Sequence, residues 1–317
     1  MNPKVSILIP CYNADRWIAQ AIQSALDQTY PHKEVIVVDD GSRDRSLEVI
    51  KSFGNRIRWE TQPNQGGNAT RNRLLELSTG DWLQYLDADD YLEPDKIAQQ
   101  VQFLDQFPNT DVVYSPSIFE FWDDQTFHQE ILPIPEPHDP WILLARWYLP
   151  QTGSPLWRKQ AIEEIGGWKV DQPCCQEHEL YLRLLKAGKQ FHYFPRAGSI
   201  YRQWSETTVC KKDKSEVYRR RFAILDDAEV YLQDTGGLTL LRQSAINQAR
   251  FECARIIWLH NQSWANEVIS KIHTSEQTFV PSGQAAPRYY QLMYQLCGFS
   301  IAESIAQLKR NLTPKLS

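Results

Sequence analysis

The sequence predicts an α/β fold: a Rossmann-like, mainly parallel sheet flanked by helices, followed by a helical C-terminal extension. Three observations carry this. Short apolar runs alternate with amphipathic helical stretches over the first half of the chain. Polar and acidic residues gather where those runs end. From about Lys211 onward the pattern turns to long helical periodicity. Domain bounds of 1–210 and 211–317 follow from that change.

Val5 to Ile9, closed by Pro10, reads as a buried strand. Ile18, Ala21, Ile22, Ala25 and Leu26 then recur at helical spacing across Arg16 to Gln28. Val35 to Val38 forms a second buried strand and runs into Asp39-Asp40-Gly41-Ser42. A helix with Leu47, Val49 and Ile50 follows, then a short strand at Ile57 to Glu60. The Gly66-Gly67 turn opens a helix through Leu74, Leu75 and Leu77, which Gly80 ends. Trp82 to Leu86 is the fourth strand and stops at Asp87-Ala88-Asp89-Asp90. Strands of this continuous apolar kind belong to a sheet covered on both faces.

The middle of the chain is less regular. Val112 to Tyr114 and Ile118 to Trp122 read as strands. Pro133, Pro135, Pro137 and Pro140 stiffen a loop that is a candidate lid or acceptor wall. Ala161 to Ile165 is a short helix before Gly166-Gly167-Trp168, and Gln176 to Leu185 is a clear helix. Phe191 to Phe194 and Ser199 to Arg202 are late strands. Val217 to Leu232 and Leu238 to Leu259 are long helices.

Composition narrows the function. The chain has 317 residues, 34 basic and 39 acidic, for a net charge of −5. That balance argues against a general nucleic-acid binder. No apolar run is long enough to span a membrane, and the N-terminus lacks a signal-peptide pattern. Six scattered cysteines without a metal-type spacing suggest reduced thiols. Together these place the protein in the cytoplasm, with peripheral contact at the inner membrane face left open. Lys211, Lys212, Lys214, Arg219, Arg220 and Arg221 form a basic cluster. It is either a solvated helix face or a contact for a diphosphate or for anionic lipid.

In open parallel sheets, ligands bind beyond the carboxyl ends of the strands. Tyr12 and Asn13 follow the first strand, Asp39 and Asp40 the second, and Asp87 and Asp89 the fourth. Asp87 and Asp89 could share a hard divalent cation such as Mg²⁺, held with substrate phosphates. An acidic turn capping the helix after Pro94 is the plain alternative. A dehydrogenase needs a Gly-x-Gly-x-x-Gly turn after the first strand, and Pro10-Cys11-Tyr12-Asn13-Ala14-Asp15 has no glycine.

Val5 to Asn13, Val37 to Ser42, Gly80-Asp81-Trp82 and Leu86 to Asp90, in this order, closely resemble the N-terminal half of family 2 glycosyltransferases. Ser154 to Arg158, Gly166-Gly167-Trp168 and Gln176 to Gly188 extend the likeness to about residue 205. The resemblance implies the GT-A fold. It also implies inverting transfer of a sugar from a nucleotide-diphosphate donor (UDP-, GDP- or dTDP-linked) to a glycan or lipid-linked acceptor. Mn²⁺ or Mg²⁺ would assist.

By that likeness Pro10 and Tyr12 cup the base, and Asp40, with Asp39 as second choice, accepts hydrogen bonds from base or ribose. Asp87 faces the ribose or the water shell of the metal, Asp89 ligates the metal, and Arg71 orients these carboxylates, touches the donor or lies at the surface. The family's usual Glu-Asp pair is here Gln176-Glu177, so the catalytic base falls to Glu177. Trp157, Trp168 and His178 are candidates for the acceptor side. The departure at Gln176-Glu177 keeps open a relative that binds nucleotide sugar without efficient catalysis. The helical tail lies outside the resemblance and is a candidate for self-association.

Overall fold

The computed structural model describes residues 2–123, 126–204 and 213–312. Its first half alternates strands and helices as β1 (Val5–Cys11), α1 (Ile18–Leu26), β2 (Lys33–Asp39), α2 (Ser46–Ser52), β3 (Arg58–Thr61), α3 (Gly67–Leu77) and β4 (Trp82–Tyr85). β1 is central among these. It pairs in parallel with β2 on one side and β4 on the other, and β3 extends the sheet beyond β2. Val5, Ile7, Leu8 and Ile9 are fully buried, because helices cover both faces. α1 turns Ile18, Ala21, Ile22 and Ala25 inward, the three-to-four residue repeat read from the sequence.

Next come β5 (Tyr91–Leu92), α4 (Lys96–Leu104), β6 (Val112–Tyr114), β7 (Ser117–Asp123), β8 (Thr126–Leu132) and α5 (Pro140–Ala145). They are followed by β9 (Leu156–Arg158), α6 (Lys159–Glu164), α7 (Gln176–Lys186), β10 (Phe191–Tyr193) and β11 (Ser199–Gln203). β9 enters the main sheet between β4 and β6, antiparallel to both, and β10 closes that edge. With three residues, β9 is too short to show a period, so periodicity alone did not reveal it.

A second sheet has the order β5-β11-β7-β8. β8 lies at its edge with every residue exposed, so it lacks the one-sided apolar pattern by which strands are read.

Contacts divide the chain into two compact units. The first is 1–140 with 148–217, and the second is 141–147 with 218–317. The boundary expected at 210/211 lies outside the described residues. The second unit consists mostly of helix: α8 (Lys214–Asp234) from residue 218 on, α9 (Leu240–Ile257), α10 (Gln262–Ser275) and α11 (Arg288–Leu312). Phe251, Tyr290, Tyr294 and Phe299 form an aromatic core there. Arg250 is wholly buried and its guanidinium donates to Asp226 and Glu229, which offsets the cost of burying the charge. Of the basic cluster, Lys211 and Lys212 lie outside the described residues; Lys214 and Arg219 are exposed on α8. No described helix is long and apolar enough to cross a membrane.

Candidate functional site

A pocket opens in the first unit at the carboxyl ends of β1, β2 and β4. Its wall includes Pro10, Tyr12, Asn13, Asp40, Asn64, Gly66, Arg71, Asp87, Asp89 and Trp204. The structure therefore brings together Pro10, Tyr12, Asp40, Arg71, Asp87 and Asp89 from the residues named by sequence.

The loop after β1 is held from its own backbone. Asn13 adopts a left-handed conformation (φ 49°), which asparagine tolerates better than most residues. Its amide N–H donates to Ser42 Oγ at 3.0 Å, and its Oδ1 accepts from the Arg43 amide at 2.8 Å. The intervening Tyr12 ring is left 48 % exposed on the pocket wall. An exposed ring that lines a pocket is a stacking surface for a flat base.

Asp40 is buried and accepts four hydrogen bonds. Gln62 Nε2 and the Gln65 amide reach Oδ1 at 2.8 and 2.9 Å; Asn64 Nδ2 and the Gly66 amide reach Oδ2 at 3.1 and 2.9 Å. These use about all the acceptor capacity of a carboxylate. Asp40 thus fixes the 62–66 loop, and through it the Asn64 side chain on the pocket wall. Gly41 makes this approach possible. Its φ is 73°, and a Cβ there would meet the Asn64 amide nitrogen at 2.9 Å. Asp39 is absent from the pocket wall. It is buried and accepts from Thr61 Oγ1 at 2.8 Å and from the Ser42 amide at 3.3 Å, so it anchors β3 to the loop.

Arg71 projects from the first turns of α3 and is buried, not a surface residue. Its Nη2 donates to Asp87 Oδ1 at 2.7 Å and its Nη1 to Gln176 Oε1 at 2.9 Å. The guanidinium carbon lies 4.8 Å from the centre of the Trp168 ring. Burial pulls its pKa down, but the charges of Asp87 and Glu177 outweigh this and hold it above the ordinary value.

Asp89 Oδ2 accepts from Trp204 Nε1 at 3.0 Å. Burial and the neighbouring Asp87 charge push its carboxyl group upward. Asp90 is pushed up further by burial and by both neighbours, and it accepts the Arg202 amide at 2.9 Å. Arg202 supports this acidic turn from β11. Nη1 donates to the Asp89 carbonyl at 2.8 Å, and Nε donates to the buried Glu120 at 3.1 Å. The sequence reading passed over Arg202 and Glu120. A charged residue inside a predicted strand was the available signal.

The donor set fits a divalent cation only in part. Asp87 and Asp89 present hard oxygen atoms on one wall, and each keeps one oxygen outside the bonds to Arg71 and Trp204. Among the described residues no group of three His, Cys, Asp or Glu side chains could hold a metal. A cation here needs ligand oxygens from a bound diphosphate, which is the usual arrangement for Mg²⁺.

Glu177 stands in the first turn of α7, where the helix dipole favours an anion, and its Oε1 accepts from Thr152 Oγ1 at 2.6 Å. It does not line the pocket itself; Arg71, which does, bonds its neighbour Gln176. Glu179 is paired through both oxygens with Arg183 at 2.8 Å. The acceptor-side candidates need correction. Trp157 is fully buried and stacks on Tyr181 with centroids 5.1 Å apart, and Trp168 is buried between Arg71 and Tyr85. Neither ring has a face to offer a sugar, because both fill the core behind the site. His178 is buried beside Tyr181 as well. Trp204, not foreseen, is a second exposed ring on the pocket wall, in addition to Tyr12.

Known proteins resemble this chain. The family model described as Glycosyl transferase family 2 matches residues 6–161. An uncharacterized glycosyltransferase of Haemophilus influenzae is 41% identical over 106 residues, which is 32% of this chain and 42% of that protein. The chain thus covers less than half of that relative's length. The crystal structure of S. aureus TarS 1–349 in complex with UDP-GlcNAc superposes with a TM-score of 0.64 at 14% identity, covering 97% of this chain and 92% of the other. The mannosyltransferase PcManGT of Pyrobaculum calidifontis, in complex with GDP-Man and Mn2+, does so with a TM-score of 0.51 at 16% identity, covering 97% and 88%. At such identities the two structures speak for the fold, which is GT-A. With the ordered motifs along the parallel sheet and the matching domain model, residues 6–161 form a glycosyltransferase family 2 domain.

Proposed function

We propose that this protein is an inverting, metal-assisted glycosyltransferase that moves a sugar from a nucleotide-diphosphate donor to an acceptor hydroxyl. The setting we propose is synthesis of a cell-surface polysaccharide or glycoconjugate. The observation that carries the reading is the single wall on which Tyr12, Asn64, Arg71, Asp87 and Asp89 meet. A nucleoside diphosphate offers a flat base, a ribose and two phosphates, and this wall presents a ring, amides, a guanidinium and two carboxylates in one place.

Tyr12 stacks on the base, and the loop fixed by Asp40 sets the base edge. Asp87, oriented by Arg71, takes the ribose; Asp89 and the outer oxygen of Asp87 would hold Mn²⁺ or Mg²⁺ with the diphosphate. Such a cation supplies Lewis-acid neutralisation of the leaving diphosphate. Solved structures with nucleotide sugars, one also with Mn2+, support this choice of ligands. Glu177 takes the proton from the acceptor hydroxyl. That oxygen bonds to the anomeric carbon from the face opposite the diphosphate, whose C–O bond breaks, and the configuration inverts. General-base assistance of this kind contributes about 10²–10⁴ in rate.

A second reading, a binder of nucleotide sugar without transfer, draws on Gln176 and on the absence of Glu177 from the pocket wall. Thermal-shift screening of UDP-, GDP- and dTDP-sugars with and without Mn²⁺ tests the donor half. A shift of several degrees for one nucleotide family, larger with Mn²⁺, is expected. No shift for any donor would overturn the assignment of the pocket.

A further inference from the structure

We infer that Thr152 is a positioning residue for Glu177, an inference that rests on the reading of Glu177 as the base. The Thr152 hydroxyl is 1% exposed and donates to Glu177 Oε1 at 2.6 Å. An ionised carboxylate only accepts, so the hydroxyl is the donor. The bond occupies one oxygen of Glu177 and leaves Oε2 outside it, for the acceptor proton. When Oε2 takes that proton, Oε1 still accepts from Thr152. The orientation of the carboxyl group is thus kept through the step.

The segment that carries Thr152 is fixed from several sides. Tyr181 OH, on α7, donates to the Pro150 carbonyl at 3.1 Å. Gln84 Nε2, on β4, donates to the Gly153 carbonyl at 2.7 Å. Ser154 Oγ donates to the Ser115 carbonyl at 2.5 Å. Gly153 packs so closely that a Cβ would sit 2.7 Å from Ser199 Oγ on β11. Every one of these anchors is buried. Buried polar groups that are satisfied in this way rigidify their surroundings. Three elements, α7, β4 and β11, and the turn at Ser115 therefore surround the segment that holds this hydroxyl against the carboxylate, and the helix that bears the carboxylate is itself one of them. A surface hydrogen bond formed by chance would have no such support.

The chemistry gives the expected size. Misplacing a catalytic group by about 1 Å costs up to 10²-fold in rate. Thr152→Val keeps the shape and removes the donor; Thr152→Ser keeps the donor. With the donor sugar identified by thermal shift, Thr152→Val should lower kcat by about 10- to 100-fold. The affinity for the matching nucleoside diphosphate with Mn²⁺, read by calorimetry, should stay within about 2-fold of wild type, and Thr152→Ser should recover most of kcat. Equal kcat in wild type and Thr152→Val would overturn the inference. So would equal losses in the Val and Ser variants, or a matching loss of nucleotide affinity, which would mark a merely structural role. Glu177→Gln is the separate control. If it retains wild-type turnover, the base assignment fails; if it is inactive while Thr152→Val is not impaired, only the role of Thr152 fails.

Discussion

Arg71 Nη1 lies 2.9 Å from Gln176 Oε1 while Nη2 of the same guanidinium lies 2.7 Å from Asp87. One buried side chain thus ties the acidic end of β4 to the N-terminus of α7, the helix that carries Glu177. A planar fork can serve two acceptors at fixed angles; an ammonium on a flexible stem cannot. The residue at 176 is neutral, so Arg71 balances Asp87 and Glu177 without a third carboxylate.

Arg71→Lys should therefore keep the charge but lose one of the two links. Nucleoside diphosphate affinity is expected to fall about 10-fold by calorimetry, the size of one charge-assisted hydrogen bond. Arg71→Ala should also lower stability by about 3 kcal/mol in urea, since Asp87 is left partly buried without its partner. Wild-type affinity in Arg71→Lys would remove Arg71 from the donor site.

The Arg202–Glu120 pair, with side chains only 2% and 1% exposed, supports the Asp89-Asp90 turn from beneath. Glu120 also accepts from Tyr91 OH at 2.6 Å, Trp122 Nε1 at 2.8 Å and Gln129 Nε2 at 2.8 Å. Glu120→Gln leaves the buried guanidinium without its hydrogen-bonded carboxylate. A loss of about 3–5 kcal/mol is expected from urea denaturation. A loss below about 1 kcal/mol would mean that the pair carries little of the support, as for an exposed pair.

Lys96 gives a pH signature. It is buried on α4 with Gln84 Oε1 as its partner, and burial lowers its pKa well below the ordinary lysine value. Between that lowered pKa and the usual value near about 10.4, the unfolded chain binds the proton that the folded chain refuses. Stability should rise with pH across that window. Lys96→Met should be more stable than wild type at the low end of the window, with the difference shrinking as pH approaches the usual value. A difference that does not vary with pH would show that Lys96 is charged in the folded state.

The sheet and the pocket wall were legible because their signals are local. Buried parallel strands print continuous apolar runs, and the acids at their ends fall on one rim. Asp40, Asp87 and Arg71 were thus singled out, although the partners of Asp40 and the second partner of Arg71 were not. Gln62 and Gly66 meet Asp40, and Gln176 meets Arg71, only through the tertiary fold. Trp157 and Trp168 misled for a related reason. A tryptophan in sequence does not declare whether its ring faces solvent, and here Tyr181 covers one ring and Arg71 the other. Thr152 lies in a segment with no period and no motif, so nothing in the sequence singled it out.

Replacement of Glu177 by Gln bears most directly on the reading of this protein as an inverting glycosyltransferase. Transfer should be measured with the donor that stabilises the wild-type chain, and nucleotide affinity should be measured alongside. Turnover is expected to fall by about 10²–10⁴ with nucleotide affinity unchanged. Undiminished turnover in Glu177→Gln would contradict the assignment of the base and the mechanism built on it.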